Sequence, residues 1–320
     1  MAHELTIRKN GFTEMAYTGE RAWHKLGNEL QEGASIEDWQ RAAGMDWEIV
    51  RTPALYQIKT MTPANFKGKT ILYRSDNHEA LSVVSDKYRP VQPKEVLEFF
   101  RDLVAENGFK LHTAGTLHGG KRFWALAETG KFGEVSTDDK VGGYLLLSTS
   151  CDRTLATTAR FTTVRVVCNN TLTSAVNRTA NSVSFSHMQA FDHNLVKQKL
   201  GKAVDSFGAF MEMAKVLRQQ EVNSAYARAF LTTLLTPVEH SSSIIYDVTT
   251  AKSYKTIMRL FEGDALGSDM AGKSKWQLLN AVTEYADYFA PARNDESRLN
   301  SALFGNGEAL KNRAVDLLAV

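Results

Sequence analysis

Cysteine is almost missing from this 320-residue chain, with Cys151 and Cys168 the whole supply. Two thiols cannot build a disulfide framework, so the fold must rest on an apolar core, and a reducing compartment is expected. Proline is also scarce, at 6 residues, which leaves long stretches free to run as strand or helix. No window approaches the roughly 18 consecutive apolar residues of a membrane span. The opening MAHELTIRKN has no apolar stretch behind its charges, so no signal peptide is read there and a cytoplasmic location is expected. Nor is there a large charge of one sign. With 38 Lys and Arg against 36 Asp and Glu, the chain as a whole has little attraction for nucleic acid or membrane. Any basic surface must be local.

What is there reads as ordinary globular material, 43% hydrophobic and 23% charged, in a chain long enough for one large core or two smaller ones. The densest pattern lies in residues 121–176. Arg122–Ala127 is a short β run entered through Gly119-Gly120, and 144–149 is a second. Cys151-Asp152-Arg153 is turn-like, and 155–164 is a third run rich in β-branched residues. Beyond Arg165 the apolar spacing becomes helical as far as Leu172. Upstream, Ser35 is placed to cap a helix over 36–43 closed by Gly44, although Asp38 is shorter than the Glu usually found three residues on, so the reciprocal capping bond is not expected. Residues 47–58 read as a strand that Pro53 either confines to an edge or breaks, and 70–74 pairs with 80–84 across a hairpin turn. A helix over 95–107 ends at Gly108, and 109–117 pairs with 123–128. After Met188 β-branched runs fade, and helical spacing covers 196–217, 224–235, 253–261, 276–289 and 310–318. The expected class is α+β. An antiparallel sheet with packed helices, a hairpin or meander feeding a helix, occupies 1–185, and a helical region occupies 186–320.

Six stretches stand out together. They are Trp23-His24-Lys25-Leu26-Gly27, Ala43-Gly44-Met45-Asp46-Trp47, Ser85-Asp86-Lys87-Tyr88-Arg89-Pro90-Val91-Gln92 and Tyr144-Leu145-Leu146-Leu147, with Val164-Arg165-Val166-Val167-Cys168-Asn169-Asn170-Thr171-Leu172 and Asn280-Ala281-Val282-Thr283-Glu284-Tyr285. In these the chain resembles the phage/plasmid-like proteins that carry the domain of unknown function 932. The resemblance implies a setting in phages, plasmids and their bacterial hosts, and brings no catalytic residues with it. Family members often have Asp-Gly in the central turn where this chain has Asp152-Arg153. A positive φ there would have to be met by a non-glycine residue.

Residues 121–190 hold eight Lys and Arg against five Asp and Glu, more excess than the whole chain carries. On a strand over 155–164, Arg160 shares a face with Thr158 and Thr162, opposite Ala159 and Phe161. Guanidinium forks and short hydroxyls on one face suit phosphate oxygens, and Phe123, Trp124 and Tyr144 could stack on unpaired bases. The alternative is a plain solvated sheet face over an aromatic core. The residues expected to touch nucleic acid are Lys121, Arg122, Trp124, Arg153, Arg160 and Arg165.

Other motifs carry less. Gly267–Ser274 fits the P-loop pattern in full, but helical spacing precedes it where a buried strand should stand, and Ser274 reads as the cap of the next helix. His187 and His193 are six apart, not a one-face helical spacing. Both cysteines read as packing residues, although a helix N-terminus near Cys168 could activate it. No cofactor and no metal is expected. The leading expectation is a non-catalytic nucleic-acid-binding protein of a mobile element. It would take single-stranded nucleic acid, self-associate as annealing proteins do, and have no dealings with membrane. The alternatives are a regulator acting through protein contacts with host machinery and a P-loop-type nucleotide-dependent enzyme.

Overall fold

Strands fill the first half of the chain and helices the second, in the order the hydrophobic spacing implies. The structure, a computed structural model, describes residues 8, 10–19, 27–57, 59, 62–165, 170–173, 182–188, 206–236 and 247–319. In chain order these give β1 (Met15–Thr18), β2 (Asn28–Leu30), α1 (Ile36–Ala42), β3 (Ile49–Tyr56), β4 (Ala64–Arg74), β5 (Ala80–Ser85), α2 (Pro93–Asn107), β6 (Lys110–Leu117) and β7 (Arg122–Ser136). There follow β8 (Asp139–Ser150), β9 (Thr157–Arg165), β10 (Asn170–Thr173) and β11 (Ser182–Phe185), then α3 (Ser206–Gln219) and α4 (Ser224–Leu235). The last described elements are α5 (Lys252–Arg259), α6 (Ser268–Ala271), α7 (Lys275–Glu284), α8 (Asp295–Phe304) and α9 (Asn306–Leu318). One sheet has the order β10-β9-β8-β7-β6-β1-β2 with β11 also on β9, and a second is β3-β4-β5. The fold is mixed α+β, with sheets rich in antiparallel pairs and a helical C-terminal region.

The chain forms two compact units that interleave along the sequence. The first comprises Met1–Gly130, Tyr144–Arg160 and Ser182–Ala203, and the second Lys131–Gly143, Phe161–Asn181 and Val204–Val320. A boundary near residue 185 therefore falls inside the last segment of the first unit.

In the first unit, α2 starts on Pro93, whose missing N–H costs nothing at that position, and stops at Gly108 in the left-handed cap conformation. It turns Val96, Leu97, Phe99 and Phe100 inward, all fully buried. Helix α1 is capped by Ser35, and the Ser35 N–H does reach Asp38 Oδ2, at 3.3 Å. The reciprocal bond that the short Asp38 side chain argues against is formed, because the cap backbone approaches the carboxylate. The β6–β7 hairpin turns through Gly119 and Gly120, both at positive φ. A Cβ on Gly120 would lie 2.5 Å from the Trp47 ring and 3.0 Å from an Arg74 nitrogen, so glycine here allows a close packing that no other residue could.

The largest departure from the sequence pattern is at β10. Residues 166–169, with Cys168, lie outside those described, as do Arg178 and His193. Asn170–Thr173, expected within a helix, pairs antiparallel with Thr162–Arg165. The open edge of β9 and the β-preferring Thr171 and Thr173 override a short helical period. Helix α8 has little signal in the sequence. Its apolar positions are few, and the cap from Asn294 to the Ser297 N–H starts it.

In the second unit α7 is buried along its whole length from Trp276 to Glu284. Its polar residues Gln277, Asn280, Thr283 and Glu284, with Asp287 just beyond, are therefore enclosed. Burial pushes the Glu284 carboxyl up from 4.5 to about 7, although the Leu266 N–H and the charge of Arg165 pull the other way. Between those values the folded chain holds a proton that the unfolded chain has released. Folding takes up a proton in that window, so stability falls as pH rises through it. Glu284→Gln keeps an acceptor for the Leu266 N–H and removes the buried charge. The variant is expected to be more stable than the parent at pH 8, by no more than about 3 kcal/mol. In thermal melts across pH that gain should vanish near pH 4, and a gain independent of pH would contradict the assignment.

Candidate nucleic-acid interface

The central module delivers fewer surface cations than its sequence suggests. Strand β8 is buried at every position from Val141 to Ser150, as is β7 from Arg122 to Ala127. Central strands covered on both faces leave no room for a stacking platform. Phe123 and Trp124 are sealed in the core, and Tyr144 is buried against His112. Arg122 is also buried, one Nη donating to Thr154 Oγ1 at 3.0 Å. Arg165 is 3% exposed. Its Nε and Nη2 donate to both oxygens of Asp139 at 2.6 and 2.8 Å, and its remaining donors go to the carbonyls of Leu266 and Gly267. These three expected contact residues are core groups, and of the six only Lys121, Arg153 and Arg160 retain solvent contact. Arg160 is half-buried on β9 opposite Ser182, while Thr162 on the same face is fully enclosed.

Arg153 is the exception. It is exposed and takes φ +68°, so the positive φ of this turn is met by a non-glycine residue in the left-handed region. The turn around it is tightly held. Asp152 Oδ1 accepts from the backbone and hydroxyl of Thr154, Ser150 Oγ bonds the backbone of Leu155 in both directions, and Tyr88 donates to the Ser150 carbonyl. Cys151 donates weakly to backbone carbonyls of Gly120 and Lys121, and burial pushes its thiol up to about 12, the state of a packing residue. His187 stacks on Tyr88 at 4.8 Å, and burial lowers its pKa.

The P-loop match does not fold as one. Gly267–Ser274 contains the one-turn helix α6, Lys273 points to solvent, and Ser274 is the buried cap of α7, accepting from the Gln277 N–H at 3.2 Å. The Gly267 carbonyl faces the Arg165 guanidinium. A phosphate-binding loop needs backbone N–H groups converging on the anion.

A further basic surface lies on β3 and β4. No Asp or Glu occurs between Glu48 and Asp76, whereas Arg51, Lys59, Lys67, Lys69 and Arg74 do. The two strands form an antiparallel arm, with a register break between Pro53 and Leu55 and Gly68 at φ +77° facing that region. Beside the bulge an open groove of about 470 Å³ is lined by Arg51, Thr52, Asn65, Lys67, Lys69 and Thr70 among others. Its one carboxylate, Asp86, accepts from the Thr70 hydroxyl at 2.6 Å. Arg51 is held in place by the carbonyls of Tyr88 and Asp86, at 2.6 and 2.9 Å. Lys67 and Lys69 are exposed and have no carboxylate partner among the described residues. The edge-strand pattern of 47–58 gives no hint of this surface. The long acid-free run was the available signal.

The model of the family described as domain of unknown function, DUF932, matches residues 80–304, more than two thirds of the chain. The chain belongs to that family. No curated protein and no solved structure matches it. In the DUF932 chain the β3–β4 arm lies just ahead of the matched segment, whereas the Arg153 turn and the Arg165–Asp139 pair lie inside it. Among the described residues no helix is long and apolar enough to cross a membrane.

Proposed function

We propose that this DUF932 protein binds nucleic acid without chemically altering it, in the phage, plasmid or host-cell setting that its resemblance implies. The observation that carries this reading is the acid-free β3–β4 arm, whose groove sets three cations against one already bonded carboxylate. In a chain of nearly balanced charge this acid-free stretch is locally cationic, and such a surface attracts phosphates while releasing their counterions. Arg51 supplies fixed charge, its guanidinium anchored by two carbonyls with further N–H donors to spare. Lys67 and Lys69 flank Gly68 at the register break, both exposed, and offer two cations to a run of phosphates. Arg153, held out on its turn, adds a second contact point. Self-association into an annealing-type oligomer belongs to the same proposal.

The test is a salt titration of a fluorescent oligonucleotide. Affinity should fall linearly with salt on logarithmic axes. Lys67→Gln with Lys69→Gln should flatten that slope by roughly 1.4 to 1.8, about 0.7–0.9 for each phosphate no longer neutralised. Arg153→Ala with Arg160→Ala should flatten it less. An unchanged slope in the lysine variant, or no binding at low salt, would sink the proposal.

A further inference from the structure

The arm carries a second feature that charge does not explain. Tyr56 and Phe66 are 46% and 53% exposed, with Leu55 beside them at 58%. The two rings meet edge to face, their centroids 6.3 Å apart. Aromatic groups on a soluble surface forgo a large burial gain, so a paired set next to a basic groove calls for an occupant. Leu55 pairs with Asn65 and Tyr56 with Ala64, so Tyr56 and Phe66 share one face of the ribbon, and Asn65 and Lys67, which line the groove, lie on the other. Rings and cations therefore flank one short length of β4, Phe66 to one side and Lys67 to the other, and an occupant that meets both must be flexible enough to round the edge strand β3.

Resting on the reading of the arm as a nucleic-acid surface, we infer that its occupant is a single strand. Its bases stack on Phe66 and Tyr56 while Lys67, Lys69 and Arg51 face its phosphates. A single strand has both elements to offer, a run of negative charge and bare base faces beside it. A duplex hides its base faces in the stack and would press Leu55, Tyr56 and Phe66 against polar backbone with nothing to gain. A second copy of the arm would bring like charges together. Pro53 also removes a ladder donor from the edge strand, and the bulge after it breaks the row of pairing groups. An anionic membrane shares the charge but is flat or gently curved, whereas the cations here line a concave groove.

The inference is tested with the full chain against a labelled single strand, a duplex of the same length and anionic vesicles. The variant is Tyr56→Leu with Phe66→Leu, which keeps apolar bulk at two exposed positions and so should melt like the parent. Removing the stacking surface at each ring should weaken single-strand binding about 5- to 150-fold per base. The salt slope should stay unchanged and duplex binding should move less than twofold. Equal single-strand affinity in variant and parent, or a parent that prefers duplex, overturns the inference while leaving the salt-slope result, and with it the proposed function, intact. Binding to vesicles alone overturns both.

Discussion

Asp139→Ala should cost about 3–5 kcal/mol of stability, the usual result of stranding one partner of a buried ion pair. Asp139 is fully buried, and its two oxygens accept from Arg165 Nε, Arg165 Nη2 and Trp276 Nε1, at 2.6, 2.8 and 2.9 Å. Truncation leaves a guanidinium 3% exposed without its bidentate carboxylate, and takes from the Trp276 indole N–H its Asp139 acceptor. No water can compensate a charge so enclosed unless the unit opens. The measurement is a thermal or urea melt of the variant beside the parent. The control is the double change Asp139→Leu with Arg165→Met. If the loss comes from an uncompensated charge, removing both charges should recover most of it, because an apolar replacement of a buried pair is often neutral. A double variant as unstable as the single one would show that packing, not charge, sets the cost. The same experiment separates structure from binding at Arg165, since Arg165→Ala should lower stability while leaving the salt slope for oligonucleotide where it was.

Glu14→Ala should have the second largest effect, about 3 kcal/mol, in the other compact unit. Glu14 is fully buried and Arg74 is 1% exposed. The carboxylate accepts from Arg74 Nη2 at 2.7 Å, Arg74 Nη1 at 3.1 Å and Arg8 Nε at 2.9 Å, and from the Thr116 hydroxyl. Arg74 also bonds Asp76 through two donors and lies over the Trp47 ring at 4.1 Å. Burial alone would lower its pKa, but the bonds to Asp76 and Glu14 outweigh it and raise the guanidinium above its ordinary value. Because Asp76 stays behind in the variant, the loss should fall at the low end of the range for buried pairs. Arg74 is the last residue of β4, so this cluster is the root of the basic arm. Amide exchange along β4 should quicken in Glu14→Ala, and Glu14→Gln, which keeps acceptor and volume, should recover part of both effects. Unaltered exchange in β4 would mean that the arm is anchored by its strand pairing alone.

Much of the architecture was legible without coordinates because it rests on local rules. Ser35 and Pro93 start their helices and Gly108 ends α2; Pro53 lies on an edge strand, and the hairpins at 75–78 and 118–121 close where turn residues cluster. Ser274 caps α7 as its position ahead of Trp276 implied, which also disposed of the P-loop match. Periodicity failed at Asn170–Thr173, where a free strand edge decided the outcome, and at α8, where the apolar signal was thin.

Function was less legible, for one physical reason. Charge and residue type can be counted along a chain, but exposure is decided by what packs against each strand. Arg122, Trp124 and Arg165 have the right chemistry for nucleic acid, and only the burial of β7 and β8 and the carboxylate of Asp139 show them to be core. By itself the sequence determined the α+β class, the family, the caps and turns, and an acid-free run of basic residues between Glu48 and Asp76. The tertiary structure alone decided which arginines are enclosed, that Arg153 holds a positive φ in a braced turn, and that Lys67, Lys69, Tyr56 and Phe66 share one exposed arm. Burial and strand pairing depend on residues distant in the chain, and no local pattern encodes them.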